Sequence, residues 1–545
     1  MTTANLQRRR GASPKPPAKA AYAELPYSSR RTPVIGAQMV ATSQPLAAQA
    51  GLAVLAAGGN AIDAAIATAA ALTVVEPTMN GLGSDAFALV WDGKRLHGLN
   101  GSGRAPARTT LSHFRGLSKV PELGWDAITV PGAVHAWRTL WRRFGSRPFA
   151  ALLAPAIAYA RHGFPVAPVI AAHWREQAPR FRRFREFARV FLPRGRAPAA
   201  GETFRNPDLA ASLEELAATE GRSLYTGALA LRTAEAAAAA HALLSFDDLG
   251  EHQSTWVEPL SLEFARVMVH ELPPNGQGLA SLVALGILDR LGSEHPPTNS
   301  ADAVHLQVEA MKLAFGVCKR HVADPESMVR DPSALLSPSY LDSLARQVNA
   351  RRACPPGGRL EREHGTVYLA TADREGRMVS FIQSNYLGFG SGVVVPGTGI
   401  AIQNRALGFS LDPRHPNCIA GRKRPYHTIM PGFVTRAGKP SAAFGCMGGH
   451  MQPQGHVQLL LHLYRDRRNP QVACDAPRWY VSEDSQVALE PGFDSGVGPA
   501  LAARGHTLLP SAPSMLFGGA QIIQRVGGAY WGGSDPRKDG QAIGI

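Results

Sequence analysis

Apolar and polar positions divide this chain into a largely helical first two thirds and a strand-rich remainder. Residues 43–57 are small and apolar at helical spacing and stop at Gly58-Gly59. Asn60, with Asp63 three residues on, is a capping-box-like start that predicts a second helix to about Thr73. Two short apolar runs, 87–91 and 95–99, flank Asp92-Gly93 and predict a hairpin. Residues 144–244 are mostly helical in pattern, and within them Phe181, Phe184, Phe187 and Phe191 recur at helical spacing among Arg182, Arg183, Arg185 and Arg189. That arrangement predicts an amphipathic helix with a solvated basic face. A strand at 267–272, a turn at Pro273-Pro274-Asn275-Gly276 and helices at 279–291 and 303–315 follow. Residues 351–365, with Cys354-Pro355-Pro356-Gly357-Gly358 and then mixed charges, have the composition of an exposed linker and mark the main boundary. Beyond it, 367–373, 378–384 and 399–403 carry strand signatures, and one helix, 456–464, follows Gly448-Gly449.

Composition narrows the class without identifying a chemistry. The 545 residues are 45% hydrophobic and 18% charged, as in a globular protein with a large core. The net charge of +15 invites polyanion partners, but no nucleic-acid motif accompanies it and none is expected as a partner. Five cysteines without a CxxC pair suggest neither a disulfide framework nor a thiolate metal site, and favour a reducing, cytoplasmic compartment. Residues 1–33, rich in proline with Arg8-Arg9-Arg10, lack an apolar signal core and read as a disordered basic arm. The longest apolar run, 64–75, is too short to span a bilayer. Gly388, Gly390 and Gly392 have neither a following helix nor a Walker lysine. No zinc ligand set is evident, and no cofactor is expected.

The informative chemistry begins at Thr366. A threonine hydroxyl is a poor nucleophile unless a base lies beside it, and a threonine at a chain N-terminus carries its own base, the α-amino group, with a pKa of about 8. Thr366 is internal, so a cut after Gly365 would have to come first. On its own, Gly-Thr at the start of a strand is an ordinary turn. The surrounding pattern changes that reading: Gly58-Gly59-Asn60, Val75-Glu76-Pro77, Gly81-Leu82-Gly83, Val130-Pro131-Gly132, Leu272-Pro273-Pro274-Asn275-Gly276-Gln277-Gly278, Gly390-Ser391-Gly392, Lys423-Arg424-Pro425, Met447-Gly448-Gly449 and Gly533-Ser534-Asp535-Pro536-Arg537 occur in order. Together they resemble the gamma-glutamyltranspeptidase family of N-terminal-nucleophile hydrolases along nearly the whole chain.

The resemblance implies an α+β fold, a four-layer αββα sandwich. It also implies a precursor that cuts itself between Gly365 and Thr366 into a large subunit, 34–365 after the arm, and a small subunit, 366–545. These two chains would remain partners, and a homodimer of such heterodimers is left open. Thr366 falls at the nucleophile position, Ser384 at the supporting hydroxyl, and Gly448 and Gly449 at the oxyanion pair. The departures concern substrate. The family's arginine position aligns with Ser102, although Arg104 lies two residues away; its serine pair aligns with His427-Thr428; its acidic position aligns with Gly408. A pocket without that acid but with Arg405 and His427 should prefer a small anionic acyl group lacking an amino substituent. Arg104, Arg405, His427, Thr428 and Tyr386 are the candidate substrate-binding residues. The features from Asn100 to Pro106 and from Gln383 to Thr398 are most similar to the oxamate amidohydrolase subgroup, with glutaryl-cephalosporin acylases more distant. Hydrolysis of a small dicarboxylic monoamide or oxamate-like amide ranks first. Gamma-glutamyl transfer or glutathione hydrolysis ranks second, and a non-catalytic scaffold of the same fold is the alternative of another class.

Overall fold

The strand signatures assemble into two antiparallel sheets of seven strands each. The computed structural model describes residues 31–292, 296–354, 365–482 and 484–545. Most of the expected basic arm and of the expected linker lies outside these residues. In the first sheet the order is Gln541–Gly544, Met39–Thr42, Gly365–Ala372, Met378–Tyr386, Asp85–Trp91, Leu96–Gly101 and Thr255–Val257. In the second it is Val34–Gly36, Ala529–Ser534, Gly519–Val526, Lys439–Met447, Gly432–Arg436, Val267–Glu271 and Leu260–Phe264. Strands from before and after residue 365 are interleaved in both.

The central strands are buried along nearly their whole length, because each sheet is covered on two sides. Phe87, Tyr368 and Ile382 of the first sheet meet Phe433, Ala443 and Ile523 of the second. The first sheet's other face packs, through Val367 and Phe381, on helices that include Ala61–Val75 and Ala133–Phe144. The second packs, through Phe444 and Ile522, on Gly278–Arg290, Ala301–His321 and Met451–Leu460. Helix, sheet, sheet and helix therefore form the four layers of an α+β sandwich. The expected capping box is present: the Asn60 side chain accepts from the Ile62 and Asp63 N–H groups, both at 2.9 Å, and Asp63 accepts from the Asn60 N–H at 3.0 Å.

Three local expectations are corrected. The Phe181–Phe191 pattern is two helices, Pro168–Phe181 and Arg185–Phe191, not one. Pro179 removes a helical donor near the first helix's end, yet Phe181, Phe187 and Phe191 still bury together around Phe389. Residues 399–403 form no sheet strand; Ile402 and Gln403 donate instead to Val393 and Gly83 in isolated bridges. The helix expected from His456 begins at Met451, since Pro453 lies in the first turn, where its missing N–H needs no acceptor.

Candidate active site

Thr366 sits at an irregularity in the ladder between Gly365–Ala372 and Met378–Tyr386. The register shifts between Gly365, opposite Tyr386, and Val367, opposite Gln383. A β-bulge of this kind re-aims a side chain out of the regular alternation. Tyr386 has a φ of 79°, in the left-handed region, so the backbone is constrained on both sides of the irregularity. Gly365 is equally constrained, because a Cβ there would lie 2.9 Å from both the nitrogen and the oxygen of Gly388.

The hydroxyls form a directed chain. Thr366 Oγ1 donates to Ser384 Oγ at 3.2 Å, and Ser384 Oγ donates to the Gly365 carbonyl at 2.5 Å. Ser384 Oγ also accepts from the Tyr386 N–H at 2.8 Å. The peptide carbonyl before Thr366 is thus polarised by the same hydroxyl that receives the threonine's proton donor.

Gly448 and Gly449 follow the central strand Lys439–Met447 of the opposing sheet and open the helix from Met451. Their φ values, 120° and 56°, turn the chain sharply there. Among the described residues, neither N–H donates to a backbone carbonyl. Gln277, wholly buried, fixes this loop: Nε2 donates to the carbonyls of Gly449 at 2.9 Å and Thr428 at 2.5 Å, and Oε1 accepts from Tyr426.

Beside these elements lies a cavity of about 400 Å³ lined by Tyr386, Gly408, Tyr426 and His450 among others. Arg405 stacks over the Tyr386 ring at 4.6 Å. Its Nη1 donates to Thr428 Oγ1 at 2.8 Å, while Nε and Nη2 have no hydrogen-bond partner among the described residues although the side chain is 1% exposed. A buried guanidinium with two unused donors is costly unless something anionic completes it. Burial lowers its pKa to about 10, against the opposing pull of Asp85, so it remains cationic at neutral pH.

Asp85 was not singled out by the sequence. It lies opposite Ser384 in the ladder of the first sheet and is fully buried. Its carboxylate accepts from the Gly103 and Gly132 N–H groups and from His427 Nε2 at 3.1 Å. Burial raises its pKa to about 7, although Arg405 and the two backbone donors pull the other way. His427 Nδ1 accepts from the Ile429 N–H, so the ring is neutral and its Nε2–H is committed to Asp85. Burial first, and Arg405 and Arg424 next, hold its pKa well below the usual value.

The other expected residues are distributed unevenly. Thr428, Arg405 and Tyr386 come together. Arg104 does not join them: it pairs with Asp324 at 3.1 Å, donates to the Arg422 carbonyl and lines a different cavity with Glu251 and His252. Ser102 is held by Asn100 at 2.7 Å. Gly408 lines the main cavity but admits no side chain on this backbone, since a Cβ would lie 2.2 Å from the Tyr426 carbonyl oxygen.

Among the described residues one group could hold a metal: the ligand atoms of His305, Glu309 and His506 lie within 4.8 Å of one another. They already form a completed chain. His305 Nε2 donates to the Asn349 carbonyl, His506 Nε2 donates to His305 Nδ1, and the Lys312 ammonium pairs with Glu309 at 2.8 Å. Lysine supplies the cation there.

Comparison with known proteins agrees with this architecture. The gamma-glutamyltranspeptidase family model matches residues 47–545. The chain is 36% identical over 531 residues to the glutathione hydrolase-like YwrD proenzyme of Bacillus subtilis, covering 94% of this chain and 99% of that one. It is 37% identical over 525 residues to the oxamate amidohydrolase proenzyme of Klebsiella pneumoniae, covering 93% and 98%. The crystal structure of a cephalosporin acylase from Bacillus halodurans superposes with a TM-score of 0.92 at 47% identity, covering 96% and 98%. This one cephalosporin acylase is more similar than the glutaryl-cephalosporin acylases were expected to be. A family match over most of the chain, with relatives above 30% identity across nearly its whole length, makes this protein a member of the gamma-glutamyltranspeptidase family, enzymes of the N-terminal-nucleophile hydrolase and acylase class.

Proposed function

We propose that the chain is a precursor that cuts itself between Gly365 and Thr366, and that Thr366 then hydrolyses the amide of a small acyl group ending in a carboxylate. The carrying observation is Arg405: buried, cationic, held by Thr428 and Tyr386, with Nε and Nη2 unsatisfied among the described residues. A terminal carboxylate would take up both donors, with the orientation that a planar fork imposes. At the family's acidic position stands Gly408, whose backbone has no room for a side chain, so that position supplies no acid to an α-amino group. An oxamate-like amide or a dicarboxylic monoamide matches this receptor better than a γ-glutamyl donor, and the names of the relatives, an oxamate amidohydrolase and a cephalosporin acylase, support amide cleavage.

Processing follows from the hydroxyl chain. Thr366 Oγ1 attacks the Gly365 carbonyl carbon and passes its proton to Ser384, whose own proton goes to the carbonyl oxygen. Collapse hands that proton to the Thr366 nitrogen as the Gly365–Thr366 C–N bond breaks and leaves an ester, which water hydrolyses. The freed α-amino group then serves as base for the same oxygen. In turnover, Thr366 Oγ1 attacks the substrate amide, and the N–H groups of Gly448 and Gly449 stabilise the oxyanion. The amine leaves protonated, and water cleaves the acyl-threonine. The five free cysteines support a reducing, cytoplasmic setting. Among the described residues, no helix is long and apolar enough to cross a membrane.

A denaturing gel and intact-mass measurement test processing: two chains are expected, the smaller beginning at Thr366, with Thr366→Ala remaining one chain. Oxamate, glutaryl amides and γ-glutamyl amides then test the substrate class. Turnover of γ-glutamyl donors alone would reverse the reading of Gly408.

A further inference from the structure

Far from Thr366, the second sheet ends in a row of three hairpin turns. The turns of Leu260–Phe264 with Val267–Glu271, of Gly432–Arg436 with Lys439–Met447 and of Gly519–Val526 with Ala529–Ser534 all lie at one end of the sheet. They carry Arg266, Arg436 and Arg525. The π-helical turn Leu461–Arg465 brings up the following Arg467 and Arg468 from above. These five arginines line a single cleft of about 750 Å³. The strand Lys439–Met447 runs from this end to the Gly448-Gly449 loop, nine residues or roughly 30 Å at about 3.4 Å each, so the cleft is distinct from the catalytic cavity.

All five arginines are exposed, and three observations set their cleft apart. None of the cleft's described lining residues carries a carboxylate. None of the five arginines forms an ion pair among the described residues, whereas Arg189, Arg196, Arg290, Arg504 and Arg537 all do. The floor is organised: the bulge in Lys439–Met447 sets Ser441 at 3.0 Å from the Tyr464 hydroxyl, Arg436 lies over the Tyr464 ring at 5.7 Å, and Gln524 sits opposite Trp531 in the ladder. Five arginines lining one cleft offer more positive charge than a mono- or dicarboxylate balances, and their planar forks match phosphate oxygens. The volume is that of a small-molecule site, too small to enclose a polymer.

We propose that this cleft is a second, non-catalytic site for a small anion carrying linked phosphate groups. A nucleoside triphosphate and a short inorganic polyphosphate share that chemistry, and half-buried Trp531 offers the former a ring to stack on.

The test is calorimetric titration of the full chain with sodium tripolyphosphate and, separately, with ATP, at fixed ionic strength. Saturable binding to one site, weakening as salt rises, is expected for tripolyphosphate. The double variant Arg436→Ser/Arg525→Ser should bind at least about tenfold more weakly, the scale of lost charged hydrogen bonds. The exposed pair Arg182→Ser/Arg183→Ser serves as the control for nonspecific basic surface and should bind as the unaltered chain does. Tighter binding of ATP, lost in Trp531→Leu, would name a nucleotide as the source; equal binding would name the inorganic anion, and either result supports the site. No saturable binding of either compound, equal weakening by both double variants, or binding of RNA oligonucleotides alone would overturn it. Circular dichroism of each variant separates lost binding from lost folding.

Discussion

The proposed receptor, Arg405 with Asp85 near it, has a charge that depends on pH. Asp85 is fully buried and its pKa is raised to about 7, so its carboxyl is mostly neutral below that pH and leaves the charge of Arg405 uncompensated. Above it, the carboxylate offsets that charge. KM for an acidic amide should therefore rise as pH increases through about 7, while Asp85→Asn should flatten the profile; steady-state kinetics from pH 5.5 to 8.5 checks both. The same group has a stability consequence. Its folded pKa lies above its ordinary 3.8, so its contribution is fully present below 3.8 and is lost as pH rises to about 7. Arg405→Lys keeps a charge but loses the planar fork, and should raise KM for the acidic acyl group by about 10- to 100-fold, the scale of a charged hydrogen bond. A matching fall in kcat with KM unchanged would place Arg405 in the chemical step instead.

At the scale of elements, Gln277 joins the turn before the helix Gly278–Arg290 to both the Thr428 segment and the proposed oxyanion loop. Gln277→Leu, which removes both donors, should lower kcat by about 10- to 100-fold through a misplaced Gly449 with little change in circular dichroism. Asn60→Ala should cost about 1 kcal/mol by opening the capping box, read as a lower Tm. That box was legible in sequence because a cap is a short-range device: Asn60 and Asp63 satisfy each other within one turn. The hairpin at Asp92-Gly93 and the strand after Thr366 were legible for the same reason. Asp85 was not, since its meaning depends on lying beside Ser384 across a ladder nearly 300 residues long in sequence. Arg104 misled for the reverse reason: two residues from an aligned position, it is drawn away by Asp324, which nothing local announces. The strand signature at 399–403 failed because its backbone partners are two loops, not a neighbouring strand.

At the scale of the molecule, the resemblance predicted four layers, and the sheets show how two product chains would share them. Gly365–Ala372 is flanked by Met39–Thr42 from before the proposed cut and by Met378–Tyr386 from after it. In the other sheet Val34–Gly36 and Val267–Glu271 bracket four strands from after it. After processing, gel filtration should therefore give one species containing both chains, and thermal unfolding should remain a single transition. Elution of separate chains without denaturant would contradict the interleaving. The arrangement also limits how the protein could be produced from two genes. A small chain expressed alone would present residues 366–372 and Gly432–Arg436 as open edges, ready to pair with other copies. The bond between Gly365 and Thr366 would thus serve chiefly during synthesis, keeping strands that are distant in sequence in one chain until each has found its neighbours.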